Sequence, residues 1–485
     1  MRTADIIVIL LYFVALLVVG YMSGKKQQDA ETFLIGSKSL GTLPICALWM
    51  SSWIGGSSVV GTASNAHADG ISGMWYMIAV AASCLLFGLI MAEPAKRAAS
   101  RLRSVTLTDM LESRYDARCQ IMAAVCSACS STACTVAQYV SGASILCVMT
   151  GWDYGLCYII TVAVILFVTC GGMKAITSTD NLQMLLLLIG IIILCPIMIS
   201  RYLMRGGYSL SQLPPAFLLP ANGTDTGTLL ALVLSTIMCI FVSMDSYTRC
   251  IAAKSTKSAR NGALLAALGC LLLGASATYM GLAGKVVLPD ISSNSSVAAA
   301  IVQFFPAGLR GLVLVGVICA IISSADILIL VGSANLCNDI YQRHINPHAN
   351  GKKLLHMNTG AAILVGLIAA VLGWRSSNII DILLVSYTIN SAGLFLPVIG
   401  AFFWRRSCAK AAFASMLSAA VVCVIWYVGG MVSAAPIFQT EALWPAFAVS
   451  ATLYLALCLT HRQTEAEQRK GDLFFMNDAD SKETT

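Results

Sequence analysis

The chain has 485 residues, of which 58% are hydrophobic and only 11% are charged. This composition excludes a soluble enzyme, and no nucleophile–base set or metal-ligand cluster stands out that would support catalysis. Apolar runs of about 20 residues, each long enough to cross a bilayer, recur along nearly the whole chain. They predict thirteen spans in one transmembrane domain, at residues 4–24, 44–66, 74–93, 119–150, 154–171, 178–202, 227–250, 261–284, 311–337, 356–374, 378–403, 409–430 and 441–460.

The net charge of +7 indicates the orientation of the chain in the membrane rather than nucleic-acid binding. Of the 30 Lys and Arg residues, 24 fall in alternate loops on one side of the predicted membrane. The other side holds only Arg2, Arg201, Arg205, Lys285, Arg310 and Arg375. Because cytoplasmic loops are the basic ones, we expect the N-terminus outside and the C-terminus inside. The remaining residues 461–485 form a polar cytoplasmic tail, which we expect to be disordered.

The second span contains an interruption signal. Six of the eight residues in the range Ser51–Ser58 are Ser or Gly, and Gly weakens a helix by about 1 kcal/mol relative to Ala. An interruption would free backbone carbonyls, which are tolerated inside a membrane only where they line a cavity or meet an ion. A close helix–helix contact through Gly55 and Gly56 is the alternative.

Polar residues also stand out in later spans. Gln138 is a neutral amide among apolar residues, and either a pocket contact or an interhelical hydrogen bond would explain it. Asp180 follows a Gly171-Gly172 pair near the start of the next span but one. Ser243 lies near the end of span 227–250, where a break would mirror the one near Ser51.

The span around Ser323, Ser324 and Asp326 carries the strongest chemical signal. Positions i, i+3 and i+4 share one face of a helix, so Ala320 points the same way as the two serines. Two hydroxyls grouped there can replace water around Na+, although serines are also common packing residues between membrane helices. The carboxylate is costly at membrane depth, which favours an ion or substrate pathway.

These motifs resemble the sodium/solute symporter family. The pattern A-x-x-S-S-x-D followed by D-I-Y, from Ala320 to Tyr341, resembles the family's helix 8. The segment Gly171–Gln183 matches its G-G-x-x-A-x-x-x-T-D-x-x-Q pattern, and the segment after Ser243 is similar to D-x-x-x-Q-R-x-x-A-A-K, with Thr248 in place of Gln. The family includes sodium/proline, sodium/glucose, sodium/sialate and sodium/pantothenate carriers, and the spacing from Pro397 to Trp404 looks most like the last of these.

The resemblance implies an all-α fold with thirteen helices, ten of them in a five-plus-five inverted-repeat, leucine-transporter-like core. The core covers about residues 44–403 of a single transporter domain, 1–460. A peripheral helix at 4–24 precedes it, and two helices within 409–460 follow. The implied function is Na+-coupled import of a small organic solute, in a multi-pass protein of the bacterial inner membrane with no obligate protein partner. An ion-independent exchanger and a transceptor or sensor on the same fold are the alternatives from other classes.

The resemblance also assigns site residues. It places Na+ among the hydroxyls and carbonyls of Ser51, Ile54, Ala320, Ser323 and Ser324, where the first three residues contribute only their carbonyls. It suggests a second Na+ or H+ site formed by Asp180, Asp326 and Ser58, although relatives with a second sodium carry hydroxyls where Asp326 stands.

The solute is expected to be a carboxylate or a zwitterion. No acidic side chain lies between Trp49 and Ser58, and helix N-termini exposed by breaks attract anions. A sugar is the rival solute, and packing between helices is the alternative role for the tryptophan at position 53. The residues expected to contact the solute are Ser52, Trp53, Ser57, Gln138, Ser243 and Tyr387.

Overall fold

The computed structural model describes residues 40–475 except 103, 105, 171–186, 224, 347, 349, 350, 375–378 and 434, together with residues 7, 11 and 14. Within these residues the fold is all-α, as predicted, and the only β interaction is an isolated parallel bridge between Leu40 and Ala253. Of the predicted first span, 4–24, only residues 7, 11 and 14 are described, and the Gly171–Gln183 motif lies outside the described part.

Eighteen α-helices are described. In chain order they are α1 Thr42–Trp53, α2 Thr62–Asp69, α3 Trp75–Ile90, α4 Ala92–Leu102, α5 Leu107–Arg114, α6 Ala117–Thr150, α7 Tyr154–Cys170, α8 Cys195–Gly206, α9 Thr226–Val242, α10 Met244–Ala252, α11 Thr256–Val287, α12 Ser296–Phe304, α13 Leu309–Ala334, α14 Gly351–Gly373, α15 Ile379–Phe403, α16 Ala409–Val432, α17 Leu443–Thr460 and α18 Glu465–Phe475. Wide π-helical turns occupy Ser57–Gly61, Ile189–Leu194 and Asn335–Ile345.

Nine helical stretches among the described residues are long and apolar enough to cross a membrane, or ten if the bent pair α9 and α10 forms one span. The full count of thirteen therefore stays a prediction. Helix α11 packs against α1, α2 and α3, while α6 packs against α13 and α15. Helix α9 packs against both α3 and α15, so it connects the two groups.

Both predicted interruptions are present. Helix α1 ends at Trp53, and Ile54 adopts an extended backbone (φ −105°, ψ 95°) before the chain resumes as a π turn leading into α2. Helices α9 and α10 meet at Ser243, also extended (φ −69°, ψ 129°), with a bend of 45°. The beginning of α1 and the end of α10 are joined at the Leu40 bridge. Leu40 N–H donates to the Ala252 carbonyl (3.2 Å), and the Leu40 carbonyl accepts from Lys254 N–H (2.9 Å).

The polar tail contains a docked helix, so the expectation of disorder is wrong for residues 465–475. The Lys470 ammonium donates to the carbonyl of Tyr115 (2.7 Å), and the Phe474 ring is buried against Phe402 at a centroid distance of 5.4 Å. The expectation failed because two apolar residues at the end of an otherwise polar segment suffice to anchor it. Residues 476–485 lie outside the described part.

Phe474→Ala is expected to undock α18 from the rest of the protein. The change removes the buried ring contact with Phe402, whereas Leu473→Ala on the same helix removes a side chain that is 42% exposed. Hydrogen exchange should therefore accelerate throughout 465–475 in the first variant and stay slow in the second. Equal exchange in the two variants would contradict the docking.

Candidate functional site

The break after α1 is held open by side chains. Gly55 N–H donates to Ser58 Oγ (2.8 Å), and Gly56 N–H donates to Gln138 Oε1 (2.9 Å). In a continuous helix these two amides would donate to the carbonyls four residues earlier, those of Ser51 and Ser52. Because these amides donate to side chains instead, the Ser51 carbonyl does not accept its helical hydrogen bond. It is therefore available as an ion ligand, the role predicted for it.

Helix α13 approaches the break closely at Gly55. A Cβ atom added to Gly55 would lie 2.6 Å from Ser324 Oγ and 3.1 Å from Gln138 Oε1, so only glycine allows this approach. The Ser324 side chain is buried, and its hydroxyl has no hydrogen-bond partner in the described structure. The Ser323 hydroxyl instead donates to the Ala320 carbonyl at 3.3 Å.

An unpartnered buried hydroxyl and a carbonyl released from its helix are each unfavourable unless something satisfies them. The hydroxyl and the carbonyl both offer neutral oxygen, the ligand type of hard cations, and the three atoms nearest to a Cβ built at Gly55 belong to the uncharged side chains of Ser324 and Gln138. The donor set therefore fits Na+. Ile54, the other carbonyl ligand expected from α1, is fully buried at the break.

Gln138 acts as an interhelical hydrogen-bonding residue, which was one of its two possible roles. Besides accepting from Gly56, its Nε2 lies 3.5 Å from Ser57 Oγ. This amide connects α6 to the break in α1, so it supports the shape of the site whether or not it also contacts solute.

Tyr387 pairs with Tyr76, a residue that the sequence analysis did not single out. Their hydroxyls lie 3.0 Å apart, and both side chains are buried between α3 and α15. One turn further along α15, the buried Asn390 has a side-chain oxygen without a hydrogen-bond partner among the described residues. A polar amide in an apolar span, the signal that drew attention to Gln138, would have found Asn390 but not Tyr76.

Ser52 accepts a hydrogen bond from Arg249, which belongs to the motif after Ser243 but was assigned no role from the sequence. The Arg249 guanidinium donates to Ser52 Oγ and, at 2.9 Å, to the Leu48 carbonyl, and it forms an ion pair with Asp245 (3.2 Å). Arg249 therefore connects α1, before the break at Ile54, to α10, after the break at Ser243. The Trp53 indole N–H is buried and has no partner among the described residues.

The residues proposed for a second cation have separate partners. Thr169 Oγ1 on α7 donates to Asp326 (2.5 Å), and that carboxylate is almost completely buried. Ser58 Oγ donates to the Gly55 carbonyl (2.8 Å) while it accepts from the Gly55 amide. Asp180 lies outside the described residues.

Two interrupted helices, together with buried oxygens that lack partners among the described residues, are typical of secondary transporters. Solved structures share the fold. A Na+-coupled sialic acid symporter in a substrate-bound outward-open state matches with a TM-score of 0.73 and 17% identity, over 96% of this chain and 99% of that chain. Mhp1, a nucleobase-cation-symport-1 family transporter, matches with a TM-score of 0.58 and 15% identity, over 92% and 99%.

Sequence relatives point the same way. The sodium/pantothenate symporter of Escherichia coli (strain K12) is 26% identical over 85% of this chain and 89% of its own length. The high-affinity proline transporter PutP of Bacillus subtilis (strain 168) is 24% identical over 93% and 97%. The sequence profile of the sodium:solute symporter family matches residues 33–419, and the chain belongs to this family. It is accordingly a multi-pass membrane transporter and not an enzyme, as predicted.

Proposed function

We propose that the protein imports a small organic solute across the cell membrane together with Na+, by alternating access. The observation that carries the proposal is the unpartnered Ser324 hydroxyl facing the glycine at the break in α1. Sodium bound there by Ser324, Ser323 and the carbonyls of Ser51, Ile54 and Ala320 would favour one state by its differential affinity for the two. A membrane potential of 100 mV adds about 2.3 kcal/mol for each charge carried inward.

The solute we propose is a carboxylate or a zwitterion. Pantothenate and proline, the solutes in the names of the two relatives, belong to these classes. The breaks at Ile54 and Ser243 leave helix N-termini with partial positive charge. The buried indole N–H of Trp53 can donate and the free oxygen of Asn390 can accept, while Ser57 and Tyr387 line the same interhelical region.

Uptake into proteoliposomes tests the coupling and the solute together. We expect accumulation of a labelled acid or zwitterion with an inward Na+ gradient and none when K+ replaces Na+. Unlabelled pantothenate, proline and other amino acids should compete, and neutral sugars should not. Accumulation without a Na+ gradient would favour the exchanger, and competition by sugars alone would refute the proposed solute class.

A second Na+ or H+ site at Asp326, with Asp180 and Ser58, is part of the proposal. Its support is the burial of the Asp326 carboxylate at membrane depth, where carboxylates usually lie on an ion or substrate pathway. The ratio of cation flux to solute flux in the same proteoliposomes tests the second site. We expect this ratio to fall from two to one in Asp326→Asn. A ratio of one in the unaltered protein would remove the second site.

Orientation is proposed from the basic loops and has a direct test. In cysteine-free variants, Thr226→Cys at the start of α9 should react with an impermeant maleimide from outside intact cells. Lys257→Cys at the start of α11 should react only after the cells are opened. Both positions are exposed in the structure, so a difference in labelling would reflect the side of the membrane and not burial in the protein. The opposite labelling pattern would invert the topology.

A further inference from the structure

A groove between α3, α9 and α15 lies away from the central site. It has a volume of about 340 Å³ and only apolar lining, which includes Leu86, Ile90, Ile237, Phe241, Ile399 and Phe403. Phe241 is buried, whereas Ile90 and Phe403, the last residues of their spans, are 46% and 47% exposed. The groove is therefore open to the surroundings of the membrane spans rather than to the centre of the protein.

The groove follows the helix direction and ends where the membrane spans end. Phe395, Ile399 and Phe403 succeed one another by four residues on one face of α15, a distance of about 12 Å at 1.5 Å per residue. The span that contains α3 ends at Ile90, and the span in α15 ends at Phe403. One end of the groove is thus at the membrane surface, and the rest of the groove lies at the depth of the lipid acyl chains.

Basic side chains follow directly at this end. Arg405 and Arg406 come two and three residues after Phe403, and both are exposed. The Arg405 guanidinium also lies over the Phe475 ring (5.4 Å), and Arg406 donates one hydrogen bond to the Leu459 carbonyl (3.3 Å), which leaves further guanidinium donors for a ligand. Lys96 and Arg97 lie on α4, which begins two residues after Ile90. Two carboxylates accompany these four cations, Glu93 paired with Arg97 and Asp472 at 3.9 Å from Arg405, so the rim keeps a positive balance.

We infer that this groove binds an anionic phospholipid, with one acyl chain in the apolar channel and the phosphate at the arginine rim. An apolar groove alone would not select a lipid, because lipid chains are as apolar as the side chains that line it. The selectivity comes from the rim, since a guanidinium presents two parallel donors to a phosphate and juxtamembrane cations attract anionic headgroups.

Native mass spectrometry of the purified full-length protein tests the site with phosphatidylglycerol and phosphatidylethanolamine of identical acyl chains. We expect preferential retention of phosphatidylglycerol, reduced about fivefold for each arginine removed in Arg405→Gln and Arg406→Gln. Asp472→Asn keeps the cation of Arg405 and should not reduce retention, and neither should Lys410→Gln on the neighbouring helix. Equal retention of both lipids, or no loss in the arginine variants, would overturn the inference.

Two further variants address the groove itself. Ile399→Trp fills it and should lower retention of phosphatidylglycerol, whereas Leu367→Trp, at a position 49% exposed on α14, should not. A photoreactive benzoylphenylalanine in place of Phe403 should crosslink to phospholipid in native membranes. Crosslinks to residues 4–24 or to a second copy of the chain would show that protein covers the groove and would refute a lipid site.

Discussion

Gly55→Ala is expected to raise the Na+ concentration for half-maximal uptake about tenfold or more while the protein stays folded. The added Cβ would stand 2.6 Å from the hydroxyl of Ser324, which must turn away and leave the proposed sodium site. The Ser324 Cβ (3.0 Å) and Gln138 Oε1 (3.1 Å) must also shift by a few tenths of an ångström, so the thermal midpoint should fall modestly without unfolding. Gly360→Ala is the matched control, because a Cβ added at that helical position meets nothing within 4 Å. Equal uptake by the two variants would mean that the close approach at Gly55 has no role in coupling.

Ser324→Ala and Ser323→Ala extend this test. Losing one ligand to a charged partner costs about 1.5–3 kcal/mol, so the Na+ concentration for half-maximal uptake should rise about tenfold or more. The double variant Gly55→Ala/Ser324→Ala should resemble Ser324→Ala in its Na+ dependence, because both single changes act on the same hydroxyl. An unchanged half-saturation in both serine variants would refute the proposed sodium ligands.

Arg249→Met is expected to destabilise the protein by about 3 kcal/mol and to impair uptake. It leaves Asp245 without its ion pair and removes the donors to Ser52 and to the Leu48 carbonyl, and breaking a buried pair is strongly destabilising. Arg249→Lys should recover only part of the loss, because an ammonium cannot reproduce the guanidinium's forked donors. The measurement is the thermal midpoint in detergent, followed by uptake at matched expression.

Arg97→Met provides the control for Arg249. Arg97 also pairs with a carboxylate four residues earlier, but its side chain is 39% exposed and that of Glu93 is 48% exposed. Exposed pairs of this kind contribute about 1 kcal/mol or less. Similar midpoints for Arg97→Met and Arg249→Met would show that the contact between α1 and α10 adds nothing to stability.

The sequence was sufficient for the class of fold and for the location of both interruptions. Runs of Ser and Gly around Ser51 and a polar residue late in span 227–250 are local signals, and the helices break at or beside them. The contact between Gly55 and Ser324 is not local, since it depends on how α13 packs against the break. The pairing of Tyr76 with Tyr387 and of Arg249 with Ser52 likewise depends on distant elements that no spacing along the chain specifies.

The docked tail could have been predicted from a short motif. Thr464 and Glu467 form a capping box, in which Glu467 Oε2 accepts from Thr464 N–H (2.9 Å) and Thr464 Oγ1 accepts from Glu467 N–H (3.3 Å). Thr-x-x-Glu before a segment that ends in Phe474-Phe475 is a helix signal. Composition averaged over residues 461–485 hid it, because the segment is polar overall.

The Leu40 bridge has a mechanical consequence. It pins the beginning of α1 to the end of α10, and Arg249 joins the same two half-helices a second time through Leu48 and Ser52. A tilt of either half-helix must carry the other along or break these bonds. Helices α1 and α10 should therefore move as one rigid unit, with the extended residues Ile54 and Ser243 as its two hinges. An ion bound at Ile54 that restrains the first hinge would then also restrain the angle between this unit and α9, although the ion does not contact α9.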